Sequence, residues 1–177
     1  PDFWGDPAFT DLMISRSGTA PLIIEIGISR RTPDLDTLFL HYHRFRTIAI
    51  LCLPYSSEVF SAVHKITPST TLQNLIIRGS HQQDQDVPPA LVQTLSECPN
   101  LEHLSIIRCH FSWSTLPVPP KLIFLRLHNT NKRAPEMLSW TAVRTALASM
   151  PALEVLDLEF MLAPKDPQCP LQDVLSL

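Results

Sequence analysis

Aliphatic residues recur along this chain at spacings of three and then two, with polar or small residues between them. The clearest instance is Leu101, Leu104 and Ile106. The same i, i+3, i+5 template returns at Ile23, Ile26, Ile28, at Phe45, Ile48, Ile50 and at Leu72, Leu75, Ile77. Two further copies stand at Leu122, Leu125, Leu127 and at Leu153, Leu156, Leu158. Apolar positions two apart put both side chains on one face of an extended segment. Each copy therefore opens a short strand whose intervening side chains face the other way. The copies start 22, 27, 29, 21 and 31 residues apart, long enough for a crossover to a parallel neighbour.

Prolines punctuate the series. Pro99, Pro120 and Pro151 each stand two residues before the first apolar residue of a copy, and Pro21 stands two before Ile23. A proline ends the segment before it and leaves the chain extended for the strand after it. Between the strands lie segments with helical spacing, each with one apolar stripe to be buried against the strand layer. Asp6 and Pro7 start the first as N-cap and N1, with Phe9, Leu12 and Met13 on one face and Gly18 past its end. Residues 34 to 45 carry Leu35, Leu38, Phe39 and Tyr42, and residues 57 to 66 carry Val59, Phe60, Val63 and Ile66. Residues 88 to 98 carry Leu91, Val92 and Leu95, and residues 139 to 150 carry Trp140, Val143, Ala146, Leu147 and Met150. The proline-rich interval between Cys109 and Leu122 predicts an extended or 3₁₀ connection, and the polar stretch from Gly79 to Val87 a surface loop. Residues 169 to 177 read as the start of another helix.

Strand, helix and strand repeated at roughly 20 to 29 residues is the period of leucine-rich repeats. The expected fold is thus one α/β domain over residues 1–177. It is a leucine-rich-repeat solenoid, a horseshoe arc with a parallel sheet of about six short strands on its concave face and helices on its convex face. Residues at i+2, i+4 and i+6 of each copy then point onto the concave face. The first copy contributes Glu25, Gly27 and Ser29. The later copies offer Asn74, Ile76 and Arg78, then His103 and Ile107, then Phe124, Arg126 and His128, and finally Asp157 and Glu159. Arginine and aromatic side chains set in apolar area dominate binding energy at interfaces, so these ten residues are the candidate contact region for a protein partner. The competing expectation is a solvated face on which Arg126 pairs with Asp157 across adjacent strands, worth at most ~1 kcal/mol.

Composition narrows the class. With 45% hydrophobic and 18% charged residues at net charge -3, the chain suits a folded domain rather than a disordered tail. Its 17 prolines and 4 glycines fit short elements with rigid stops and few hairpins that need positive φ. The negative balance argues against nucleic acid, since phosphate neutralisation needs surplus lysine and arginine. No apolar run approaches the ~18 residues of a membrane span, and Pro1 to Thr10 has no secretory pattern. The start at Pro1 suggests a chain that begins inside a longer polypeptide. Cys52, Cys98, Cys109 and Cys169 form no Cys-x-x-Cys pair, which predicts reduced, mostly buried thiols in a cytoplasmic or nuclear protein.

Catalytic constellations are weak. His41 and His43, two apart in an expected helix, point about 200° apart and cannot easily share a metal. Asp34 with Asp36, and Asp84 with Asp86, lack the glycine-bearing loop or third carboxylate of a cation site. Gly18, Gly27 and Gly79 stand alone and Gly5 follows Trp4, so no phosphate cradle assembles. Ser105 and His103 lack a nucleophile elbow. No catalytic residue, metal ligand or cofactor is expected.

Several residues outside the leucine positions resemble fungal, basidiomycete-type F-box proteins with C-terminal leucine-rich repeats. Trp4, Leu12 and the run Arg16-Ser17-Gly18-Thr19-Ala20-Pro21-Leu22 resemble that family's helix, Arg-Ser-Gly and Ala-Pro-Leu before a strand. His43-Arg44-Phe45-Arg46-Thr47-Ile48 is similar to its helix end leading into the second strand. Pro-x-Leu-Glu-x-Leu-x-Leu, at Pro99 to Ile106 with isoleucine last and at Pro151 to Leu158, is similar to its strand entry. The resemblance implies the substrate-recognition region of an F-box ubiquitin-ligase subunit. Contact with the ligase adaptor would depend on an F-box that these residues do not contain. The other reading of the same surface is a stand-alone scaffold or inhibitor without a ligase role.

Overall fold

A computed structural model describes residues 7–26, 38–51, 69–79, 85–86, 89–110, 119–128 and 140–159. Within them the two-residue alternation becomes short strands: β1 (Leu22–Ile26), β2 (Phe45–Leu51), β3 (Asn74–Arg78), β4 (Gln85–Asp86), β5 (His103–Ile107), β6 (Cys109–His110), β7 (Phe124–His128) and β8 (Val155–Glu159). Six of them form one parallel sheet in the order β1-β2-β3-β5-β7-β8, so each lies beside its successor in the chain, and β4 pairs with β6 apart from it. The architecture is α/β, with helices α1 (Pro7–Arg16), α2 (Pro89–Ser96) and α3 (Trp140–Ala148). Among the described residues no helix is long and apolar enough to cross a membrane.

Register turns the sequence template into columns. Ile48, Leu75, Leu104 and Leu125 sit in register across four strands, as do Ile50, Ile77, Ile106 and Leu127. All eight are buried. Full burial of one such side chain stabilises by about 1.5–3 kcal/mol, and each column is covered only because its neighbours flank it.

In four copies the first template residue, Leu72, Leu101, Leu122 or Leu153, lies before the strand rather than in it, whereas Phe45 opens β2. Leu101, Leu122 and Leu153 close tight turns, their N–H groups donating to the carbonyls of Cys98 (3.3 Å), Pro119 (3.2 Å) and Met150 (3.1 Å). Pro99, Pro120 and Pro151 take the second position of these turns, where their fixed φ is already suitable. The copy at Ser69 has no proline and substitutes a side chain: the Thr71 N–H donates to Ser69 Oγ at 3.2 Å. Beyond each of the three proline turns one carbonyl of the neighbouring segment accepts two successive N–H groups. Gln73 O receives Glu102 and His103, Glu102 O receives Ile123 and Phe124, and Ile123 O receives Glu154 and Val155.

Three expectations need correction. The first copy is shifted by two residues: Ile24 and Ile26 register with Ile48 and Ile50, and an irregularity follows Leu22. Ile23 then faces outward and is 75% exposed. Glu25 pairs with Ala49 rather than Thr47, and Pro21 adjoins the strand directly instead of serving a turn. Helix α1 does not bury Phe9, Leu12 and Met13, which are exposed; Ile14 is its buried residue. Its docking is polar at the C-terminal end, where Ser17 Oγ donates to Ile14 O and Arg44 Nη2 donates to Ser17 Oγ, both at 2.6 Å, and to Ala20 O at 3.0 Å. The stretch from Gly79 to Val87 is not wholly a surface loop, since Gly79 is buried and Gln85–Asp86 forms β4.

Other segments agree with the pattern. Leu91 and Leu95 on α2 are buried, Leu38, Phe39 and Tyr42 are buried ahead of and within a 3₁₀ turn at Tyr42–Arg44, and Met150 is buried after α3. The expected helices over 57 to 66 and 169 to 177, and the connection over 111 to 118, lie outside the described residues.

Candidate outward face of the sheet

Parallel strands in register place every second side chain on the face opposite the aliphatic columns. Asn74, Ile76, Arg78, His103, Ile107, Phe124, Arg126, His128, Asp157 and Glu159 all project there, from β3, β5, β7 and β8. The ten candidates therefore share one face. Between them Ala49 and Ser105 are also outward, yet each is only 8% exposed, because taller neighbours stand on both sides.

The first column is a chain of ring and amide contacts. Asn74 Nδ2 donates to Thr47 Oγ1 at 2.9 Å. His103 stacks on Phe124 with ring centroids 5.7 Å apart and planes 22° from parallel. The Arg126 guanidinium lies 5.3 Å from the centre of the Phe124 ring, within reach of its negative face. One aromatic ring thus contacts both an imidazole and a guanidinium.

The other columns meet in a charge network on β7 and β8. Arg126 Nε donates to Asp157 Oδ2 at 2.7 Å, the cross-strand pair anticipated as the solvated alternative. His128 adds what a strand-by-strand reading missed: its Nδ1 is 2.8 Å from Glu159 Oε2 and its Nε2 is 2.9 Å from Asp157 Oδ1. The second contact has ion-pair distance without hydrogen-bond alignment. One imidazole therefore spans two carboxylates of the edge strand, a relation visible only once the register is known.

The network holds the Asp157 carboxyl below its ordinary value of 3.8, through His128 first and Arg126 second. A depressed folded value means that the charged network stabilises the fold above pH 3.8 and that this contribution disappears as pH falls through the lower folded value. Urea midpoints are expected to drop more for the wild type than for Asp157→Asn between about pH 5 and about pH 3. Equal drops would show that the carboxylate adds nothing to β8.

Both described cysteines are buried. Burial pushes the Cys98 thiol up and the Cys109 thiol up to about 12, and both are free thiols. A thiol so disfavoured as thiolate is a poor nucleophile. His41 and His43 sit at a turn and in the 3₁₀ segment, not in a regular helix. Among the described residues no group of three or more His, Cys, Asp or Glu side chains is placed to hold a metal ion. No protein-family model, curated protein or solved structure matches this chain.

Proposed function

We propose that this chain is a leucine-rich-repeat solenoid that recognises a protein partner on the outward, concave face of its sheet without catalysis. The observation that carries this reading is the Phe124 ring in contact with both His103 and Arg126, on the adjacent in-register strands β5 and β7. A rigid aromatic with an arginine beside it, and aliphatic Ile76 and Ile107 on the same face, is the composition of an interface anchor. Recurrence of the same proline turn and the same doubly accepting carbonyl at the entries to β5, β7 and β8 supports the repeat assignment. The resemblance of Arg16 to Leu22 and of the Pro-x-Leu-Glu entries to F-box proteins makes substrate capture for a ubiquitin ligase the proposed setting, in cytoplasm or nucleus.

The double variant Phe124→Ala, Arg126→Glu tests the face. Affinity purification of the full-length protein followed by mass spectrometry is expected to yield a specific partner that the variant fails to retain. The new carboxylate would face Asp157, so stability falls by about 1 kcal/mol while circular dichroism stays native. An undiminished partner would rule the face out. An adaptor of cullin-RING ligases recovered with the full-length protein supports the ligase setting; its absence alongside a retained partner favours the scaffold reading.

A further inference from the structure

The proposed face carries an uneven division of charge, and we infer from it that the partner presents an acidic, extended segment, with a carboxylate seated on Arg78. This rests on the reading of the sheet face as a binding surface and says what kind of chain binds there. The acids that a basic partner would seek on β8 are already engaged. Asp157 is held by Arg126 and approached by His128, and Glu159 by His128. Glu25 stands on β1, two strands from β3, roughly 10 Å away.

Arg78 is different. It is exposed at the end of β3, between outward Leu51 and Ile107 in its column, and no carboxylate among the described residues pairs with it. Glu159, in the same column, is three strands off, roughly 14 Å, beyond a Debye length at physiological salt. A guanidinium flanked by aliphatic side chains has fewer competing waters, so a carboxylate placed on it forms a stronger, two-pronged contact than at an open surface. The low outward positions at Ala49 and Ser105, on either side of Ile76, leave room for an apolar side chain next to that carboxylate. Net charge -3 for the whole chain would suggest a basic partner; the local pairing on β7 and β8 nevertheless leaves a cation at Arg78 without a carboxylate among the described residues.

A peptide display library of random sequence, selected on the purified chain, tests the inference. Wild type is expected to enrich peptides with Asp or Glu beside an aliphatic or aromatic residue. Arg78→Glu is expected to weaken those peptides by at least about tenfold and to enrich Lys or Arg instead. Arg78 is exposed, so the urea midpoint of the variant should match wild type and exclude misfolding as the cause. Acidic peptides that bind Arg78→Glu as well as wild type, or a wild-type selection that yields neutral or basic peptides, overturn the inference. If those peptides still depend on Phe124 and Arg126, the face survives as the binding surface and only the acidic partner falls. If neither variant alters binding, or nothing is enriched, both fall.

Discussion

Replacing Phe45 by alanine is expected to lower the unfolding free energy by about 3–5 kcal/mol, the usual cost of deleting a large buried ring. Phe45 is 0% exposed at the entry to β2. Its ring meets Tyr42 edge-on with centroids 5.7 Å apart and Phe39 at 6.0 Å, so three rings fill one space between the 3₁₀ turn and the sheet. A truncated side chain leaves a void that the stiff aromatic neighbours Phe39 and Tyr42 cannot close. Single domains have only about 5–15 kcal/mol in total. The loss is therefore a large share of stability, and urea denaturation should show it as a lower midpoint at unchanged slope. Ile23→Ala is the matched control: that residue carries the template's first apolar position in the first copy, yet faces solvent, and should shift stability by less than about 0.5 kcal/mol. Equal effects at the two sites would mean that the register between β1 and β2 is wrong.

That contrast shows where residues alone suffice and where they do not. Leu75, Leu104 and Leu125 are aligned by sequence because each is followed two residues later by another aliphatic side chain, while the opposite phase carries Asn74 and Arg78, His103 and Ser105, or Arg126 and His128, so only one phase works. Leu22, Ile23, Ile24 and Ile26 offer no such restriction: four of five positions are aliphatic, both phases fit, and the choice falls to the contact with Ile48 and Ile50. Helix α1 misled for a related reason. Phe9, Leu12 and Met13 form an apolar stripe, but a stripe specifies burial only if a wall meets it, and Arg44 anchors the helix by its end instead.

The candidate face was legible as a set of columns and illegible as a network. Arg126 opposite Asp157 is implied by equal positions in successive copies. The reach of His128 to both Asp157 and Glu159 depends on rotamers and strand twist, which sequence spacing does not specify. The consequence for recognition is physical. Charges that neutralise each other across β7 and β8 orient Phe124 and hold the edge strand, and they leave the centre of the sheet, around Ile76 and Arg78, as the region with unspent polar capacity.

The second large effect is expected at Gly79, one residue beyond Arg78. Gly79 N–H donates to Ile107 O at 2.8 Å and Arg108 N–H to His128 O at 2.7 Å, so the ladder runs one rung past each strand. Arg108 reaches its rung at φ 58, a left-handed conformation that turns its carbonyl towards Gly79. A Cβ on residue 79 would run into that carbonyl oxygen, and would lie 3.0 Å from Arg108 C and 3.1 Å from Cys109 Sγ. Backbone cannot swing aside as a side-chain tip can, so Gly79→Ala should cost about 3 kcal/mol, the upper end for overpacking. Gly18→Ala separates this from a loss of backbone freedom: Gly18 has φ 54 with nothing within 4 Å of an added Cβ, and should cost only about 1–2 kcal/mol. Adding Cys109→Ala to Gly79→Ala removes the sulfur contact and leaves the carbonyl clash, so it should not restore stability. Because the obstruction sits between Gly79 and Arg108, one rung beyond the Arg78–Ile107 pair, Gly79→Ala should also weaken peptides that depend on Arg78, beyond what its lowered stability explains. Recovery of the urea midpoint in the double variant, or a Gly79→Ala cost no larger than that at Gly18, would show that the two backbones do not approach so closely.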